Sequence, residues 1–255
     1  MTPANPALLP PLVTLARLAG EEIMKIYDSD FEVRRKDDAS PVTQADDIAE
    51  ALIVRGLQVL EPGVPVVAEE AVARGEVPVV GRRFWLVDPL DGTREFVQRN
   101  GEFTVNIALV VDAAPVAGVV FAPAIDLLFA GVVGGGAFLE EDGVRAAMAC
   151  RTPPPEGLDV LVSRAHDDAS ALQHFLRGRR VAGYRPAGSS LKFGLLAAGR
   201  ADLYPRLSRT MEWDTAAGHA VLAAAGGEVT DLAGAPLRYG KPGFENPHFV
   251  ARGRP

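Results

Sequence analysis

The sequence has one cysteine, Cys150, in 255 residues. No internal disulfide can staple the fold, and a lone thiol suits a reducing compartment, where it is read as inert rather than catalytic. There is no run of the ~18 uninterrupted apolar residues that a membrane-spanning helix needs. The N-terminus also lacks the charged, apolar and cleavage-site segments of a secretory signal. The expected location is the cytoplasm, with peripheral association at the inner face of the membrane left open. Basic residues are the minority, 26 Lys and Arg against 33 Asp and Glu for a net charge of −7. That balance argues against nucleic acid held on a basic face but allows a small anion. The four histidines, His166, His174, His219 and His248, show no zinc-site spacing and read as surface or packing residues. What is present, 48% hydrophobic and 23% charged residues, suffices for one large or two small globular units around a substantial core.

The chemistry concentrates in Phe84-Trp85-Leu86-Val87-Asp88-Pro89-Leu90-Asp91-Gly92-Thr93. Four apolar residues in a row read as a strand buried on both faces. Two aspartates follow, three positions apart, so the chain is expected to turn sharply with both carboxylates close together. Two unit charges ~4 Å apart at an effective dielectric near 20 repel by roughly 4 kcal/mol, which calls for a cation or for protonation of one group. Hard oxygen donors with no adjacent His or Cys point to Mg²⁺ or Mn²⁺ rather than Zn²⁺. A surface turn is the competing reading, since Asp, Pro and Gly are turn residues. Against it, a dry strand that delivers two carboxylates and then Gly92-Thr93 amides able to open a helix makes a phosphate and metal cradle.

The rest of the pattern reads mainly as scaffold. Leu12, Leu15, Ala16, Ala19, Ile23 and Ile26 mark an amphipathic helix over residues 8–27. Thr43 is a good N-cap for a second helix reaching residue 60, with Asp46 in the acidic position of a capping-box-like arrangement; Lys36 reads as a solvated charge. Residues 64–68 form a short buried strand ending in Glu69-Glu70. Residues 94–99 fit a short helix. Residues 103–111, 115–121, 127–133 and 137–139 read as successive antiparallel strands, with a last hairpin at Asp142-Gly143. The stretch Arg151-Thr-Pro-Pro-Pro155 is the best break, dividing an antiparallel-sheet half, 1–150, from a layered α/β half, 151–255. In the second half, strands at 158–163, 180–184 and 201–204 alternate with helices at 167–176 and 189–198. There Ser189-Ser190 reads as an N-cap and Lys192 as a solvated charge. The segment Glu212-Trp213-Asp214 begins the last long helix, with Asp214 as its N-cap and Ala217, Ala220, Val221 and Ala224 as a small-residue face. Strands at 226–231 and 248–251 close the chain.

The segment Asp88-Pro-Leu-Asp-Gly-Thr93 resembles the central motif of the inositol monophosphatase superfamily of Mg²⁺-dependent, lithium-sensitive phosphatases. Its continuation, Arg94-Glu-Phe-Val-Gln-Arg-Asn-Gly-Glu-Phe-Thr-Val-Asn-Ile-Ala108, narrows the likeness to the 3′(2′),5′-bisphosphate nucleotidases of the bacterial CysQ type. The likeness runs from about residue 40 to about residue 249 over three separate motifs. It implies an α/β (α+β layered) αβαβα sandwich with an antiparallel N-terminal and a mixed C-terminal sheet. It implies two or three Mg²⁺ ions, Mn²⁺ as a substitute, held by Glu69, Asp88, the Leu90 carbonyl, Asp91 and Asp214, with Glu70 behind them or exposed. The Pro-Val-Thr-x-Ala-Asp signature makes Asp46 a ligand or orienter of a further ion, a role open beside capping. The Trp-Asp-x-Ala-Ala-Gly signature makes Asp214 a ligand that also faces the substrate.

In the same resemblance, Thr93 hydrogen-bonds the attacking water, Glu69 or Asp46 takes its proton, and the Gly92 and Thr93 amides receive the phosphate. Gly188 and Ser189 suit one phosphate, Lys192 and Arg206 the one that is not cleaved. The implied partner is a small nucleotide bisphosphate: adenosine 3′,5′-bisphosphate cleaved at the 3′ position to AMP, with its sulfated analogue PAPS second. The alternatives are an inositol or sugar monophosphatase, whose motif more often continues Asn-Phe where this chain has Arg-Glu-Phe, and a non-catalytic nucleotide or metal sensor.

Overall fold

Strands buried on both faces need a helical layer on each side, and the computed structural model of the chain supplies them. It describes residues 5–29, 33–35, 41–164 and 169–254. The expectations for Lys36, for His166, for the Thr43 side chain and for the first two residues of the helix at 167–176 lie outside what is described. The helices α1 (Leu9–Tyr27) and α2 (Gln44–Leu60) form one outer layer, with a two-stranded antiparallel ribbon, β1 (Val33–Arg35) and β2 (Pro41–Thr43), between them in sequence. A seven-stranded sheet follows in chain order: β3 (Val66–Ala68), β4 (Arg83–Asp91), β5 (Thr104–Val111), β6 (Ala114–Ala122), β7 (Leu127–Val132), β8 (Gly136–Glu141) and β9 (Val144–Met148). Short helices α3 (Glu69–Ala73) and α4 (Thr93–Val97) lie just after β3 and β4.

The second sheet holds β10 (Leu158–Ser163), β11 (Val181–Ala187), β12 (Leu203–Arg206), β13 (Glu228–Asp231) and β14 (Phe249–Arg252) in the order β11-β10-β12-β14-β13. It is mixed: β10 runs parallel to β11 and β12, while β14 runs antiparallel to β12 and β13. Helices α6 (Leu191–Ala197) and α7 (Trp213–Ala224) lie between the sheets, and α5 (Ala169–Phe175) packs on the far face against Val160, Leu203 and Val250. The result is the predicted αβαβα sandwich. The first sheet departs from expectation in one strand: β3 is parallel to β4 while the other pairs are antiparallel. The reason is the connection, since a crossover through α3 and a loop, not a tight hairpin, joins β3 to β4.

β4 shows why four consecutive apolar residues form a strand here. Trp85 and Val87 point into the core shared with Leu12, Ile23, Ile53 and Leu57 of α1 and α2. Phe84 and Leu86 point into the core shared with Phe193, Ala217 and Val221 of α6 and α7. Burying each such side chain contributes about 1.5–3 kcal/mol. The small-residue face of α7 meets glycines in the sheet: a Cβ added at Gly118 would stand 2.5 Å from the Ala217 carbonyl oxygen, and one at Gly131 2.8 Å from the Ala224 Cβ. That close approach sets the position of the α7 N-terminus. Arg151, in the predicted break between the halves, binds the second sheet, its Nε and Nη2 donating to Asp202 at 2.8 and 2.7 Å. Among the described residues no helix is long and apolar enough to cross a membrane.

Candidate active site

The expected sharp turn after Asp88 is absent. β4 runs on through Pro89 to Asp91, and the register against β5 slips between Asp88 and Asp91, pairing Asp88 with Asn106 and Asp91 with Thr104. The one extra residue on β4 makes a bulge, which re-aims side chains without ending the strand. Proline fits there because a bulge relieves it of a ladder donor. The chain turns at Gly92, whose φ of 93° lies in the left-handed region that glycine tolerates, and Thr93 begins α4.

Four of the five expected carboxylates come to one cavity of about 340 Å³: Glu69, Asp88, Asp91 and Asp214, with Leu90, Gly92 and Thr93 beside them. They arrive on α3, β4 and α7. Asp88 is 1% exposed. Burial, then Glu69, Asp91, Asp214 and Asp46 in turn, hold its carboxyl well above the usual carboxylate range. Burial, then Asp91 and Glu69, do the same to Asp214, against the opposing pull of the Met211 amide and Arg206. Asp46 is buried in the first turn of α2 and repels Asp88, but it does not line the cavity. Glu70, expected behind Glu69 or exposed, is buried, and its backbone N–H donates to Glu50 at 2.7 Å.

Asp214 is not the N-cap of α7. Glu212 takes that position, and the Asp214 Oδ2 accepts from the Met211 N–H at 2.8 Å. Lys192 is not solvated either. It is 3% exposed, and its Nζ donates to the Ala187 and Ser189 carbonyls at 3.0 and 2.7 Å, closing the loop that leads into α6. Ser190 occupies the N-cap of α6 without a side-chain capping bond.

Gly188, Ser189, Lys192 and Arg206 also line the cavity. Arg206 donates through Nη1 to Ser163 Oγ at 2.6 Å, which aims it. Ser189 takes the left-handed conformation at φ 42°, and its hydroxyl is buried with no partner among the described residues. The site thus brings acidic oxygens and cationic or hydroxyl donors to one cavity. As the side chains stand, no three His, Cys, Asp or Glu among the described residues form a ready ligand set. The fit to a divalent cation rests instead on donor chemistry: hard oxygens at one cavity, where desolvation first and neighbouring carboxylates second raise the pKa of the buried Asp88 and the half-buried Asp214.

Sequence reasoning gave no site role to Glu95, Glu102 or Asn106, and read Ser190 as part of an N-cap. Glu102 accepts from Arg164 through both oxygens at 2.7 Å and from the Gly188 N–H at 2.7 Å, and Arg164 holds its carboxyl below the usual range. Glu95 lines the cavity, its carboxyl raised by burial and by Asp91. Asn106 and Ser190 link Asp91 to Asp214. A buried polar residue inside the apolar run of β5 is the signal that could have found Asn106. Nothing local announces Glu102, whose partners lie 62 and 86 residues away.

The model of the inositol monophosphatase family matches residues 7–251. A relative from Escherichia coli (strain K12) named 3′(2′),5′-bisphosphate nucleotidase CysQ is 47% identical over 95% of this chain and 98% of its own length. A protein of the same name from Haemophilus influenzae is 32% identical over 99% of this chain and 95% of its own. Among solved structures, CysQ from Bacteroides thetaiotaomicron, described as a bacterial member of the inositol monophosphatase family, superposes with a TM-score of 0.78 at 38% identity, covering 96% of each chain. An inositol monophosphatase from Anabaena (Nostoc) sp. PCC 7120 superposes with a TM-score of 0.77 at 26% identity, covering 97% of this chain and 91% of its own. By sequence along nearly its whole length and by fold, the chain belongs to the inositol monophosphatase family.

Proposed function

We propose that the chain is a Mg²⁺-dependent phosphomonoesterase that removes the 3′-phosphate of adenosine 3′,5′-bisphosphate to give AMP, with PAPS as a second substrate. The observation that carries this reading is the single cavity joining Glu69, Asp88, Asp91 and Asp214 to Lys192 and Arg206, in a chain 47% identical to a named 3′(2′),5′-bisphosphate nucleotidase. Hydrolysis of phosphate monoesters is among the slowest uncatalysed reactions and demands accelerations of up to ~10²¹-fold. Mg²⁺, when bound, supplies charge neutralisation of the phosphoryl oxygens and activation of water. Mn²⁺ would serve the same donors.

The chain's own residues do the rest. Glu69, Asp88, Asp91, Asp214 and the Leu90 carbonyl hold the cations, and Asp46, behind Asp88, orients or completes a further site. The Thr93 hydroxyl, 3.5 Å from the Leu90 carbonyl oxygen, orients the attacking water, and Glu69 or Asp46 accepts its proton. The Gly92 and Thr93 amides, with Gly188 and Ser189, receive the scissile phosphate and hold it in line for attack. Lys192 and Arg206 fix the phosphate that is retained. The test is phosphate release from a panel of adenosine 3′,5′-bisphosphate, PAPS, inositol 1-phosphate and fructose 1,6-bisphosphate. The nucleotide should lead in kcat/KM; preference for inositol 1-phosphate would replace the substrate assignment, and no release from any member would reject catalysis.

A further inference from the structure

Asp91 and Asp214 come from different sheets' worth of chain, 123 positions apart by number, yet they must hold a fixed separation if they share cations. One hydrogen-bonded chain connects them. The Asn106 Nδ2 stands 3.3 Å from the Asp91 Oδ2 and 3.0 Å from the Ser190 Oγ, and the Ser190 Oγ stands 2.6 Å from the Asp214 backbone oxygen. Direction is fixed by counting protons. A backbone carbonyl can only accept, so the single Ser190 hydroxyl proton goes to Asp214. The Ser190 oxygen must then accept from Asn106, which turns the amide NH₂ inward and sends its second N–H to Asp91. The cost of this orientation is visible, because the Asn106 Oδ1 is buried with no partner among the described residues. Asn106 is fully buried and Ser190 2% exposed. An unpartnered buried oxygen retained at such a place is unfavourable for stability alone and marks a constraint of another kind.

We infer that Asn106 and Ser190 are positioning residues, a neutral brace across the two halves that aims the Asp91 carboxylate and fixes its distance from Asp214. A neutral donor suits the task, since a cation there would compete with the metal and another carboxylate would add to the repulsion already acting on Asp88 and Asp214. The ladder prepares the arrangement: Asn106 is the register partner of Asp88, and the bulge brings Asp91 back within reach of the same side chain. Neither residue touches the reacting atoms, so both act through the two aspartates.

The inference rests on the metal reading proposed above, and the experiment separates the two. Substrate-free protein is titrated with Mn²⁺ by calorimetry for the native sequence, Asn106→Ala, Ser190→Ala and the double variant, with thermal unfolding as the check of folding. Loss of a residue that orients a ligand weakens metal binding by about 10- to 100-fold, so Asn106→Ala should lose that much affinity and Ser190→Ala less. The double variant should lose little more than Asn106→Ala alone, because both substitutions cut one chain. In turnover, kcat should fall while KM for the nucleotide stays within about twofold. Native Mn²⁺ affinity in either folded single variant, or losses that simply add, would overturn the brace. Should Asn106→Ala not fold, the Ser190→Ala titration decides by the same criterion. Absence of Mn²⁺ binding by the native protein would overturn the metal reading itself.

Discussion

The placement of Asp214 depends on how closely α7 can approach the first sheet, and Gly118→Ala tests that dependence. A Cβ at position 118 would lie 2.5 Å from the Ala217 carbonyl oxygen, 3.0 Å from its Cα and 3.0 Å from the Ala220 Cβ, where ordinary contact begins at 3.4 Å. The obstructing atoms are mostly helix backbone, so no side-chain rotation relieves the clash. The helix must retreat by the difference, about 0.9 Å. Overpacking of this kind costs about 1–3 kcal/mol, and at 2–4 °C per kcal/mol for a chain of this size the thermal midpoint should drop by roughly 2–12 °C. Asp214 is three residues ahead of Ala217 on the same helix and moves with it. A displacement near 1 Å at a catalytic constellation lowers rates by as much as ~100-fold, so kcat should fall between about 10- and 100-fold at temperatures where the variant is fully folded. The assay is steady-state phosphate release beside a thermal melt. A folded variant with the predicted loss of stability and native kcat would show that the site does not depend on the register of α7.

Thr93→Ala should lower kcat by about 100-fold while Mn²⁺ affinity in a calorimetric titration stays close to native; a change confined to KM would contradict its role toward water. Glu102→Gln removes the charge that binds Arg164 and Gly188, and should raise KM for the nucleotide about three- to tenfold with kcat little changed; a native KM would mean that the loop before α6 holds its shape unaided. Burial lowers the pKa of His219, whose Nδ1 lies 3.0 Å from the Tyr239 hydroxyl, to about 3. Its folded value is below the unfolded ~6.5, so the unfolded chain binds more protons and stability falls as pH drops below ~6.5 toward ~3. At pH 5.5 the loss is about 1.4 kcal/mol, and His219→Gln should flatten the thermal midpoint between pH 7.5 and 5.5 by several degrees; an unchanged slope would refute this.

Elements with strong period were legible in the sequence. The stripe of α1, the double-sided burial of β4 and the hairpins from β5 to β9 follow from apolar spacing and from turns such as Asp142-Gly143, and the structure places them within a few residues of expectation. Asp88 and Asp91 stood out by their spacing after a dry strand, whereas Glu69 and Asp214 were singled out only by the family resemblance. Features set by distant partners were not legible. Lys192 reads as a surface charge until the carbonyls of Ala187 and Ser189 are seen to enclose its ammonium. Asp214 reads as an N-cap because Asp before a helical pattern usually is one, and only the position of Glu212 displaces it. The parallel pairing of β3 depends on a loop whose path has no period. The Glu102 contacts and the Asn106–Ser190 link join residues 62 to 86 positions apart, beyond any local pattern.

The central claim is that acidic side chains from both halves of the chain act together on a phosphate ester through divalent cations. Phosphate release from adenosine 3′,5′-bisphosphate, measured with Mg²⁺, after exhaustive EDTA treatment and after Mg²⁺ is restored, for the native protein and for a folded Asp214→Asn variant, tests it most directly. The account predicts activity only with Mg²⁺, full recovery on restoration, and no measurable turnover by Asp214→Asn under any of the three conditions. Release that survives EDTA, or native turnover by Asp214→Asn, would contradict it.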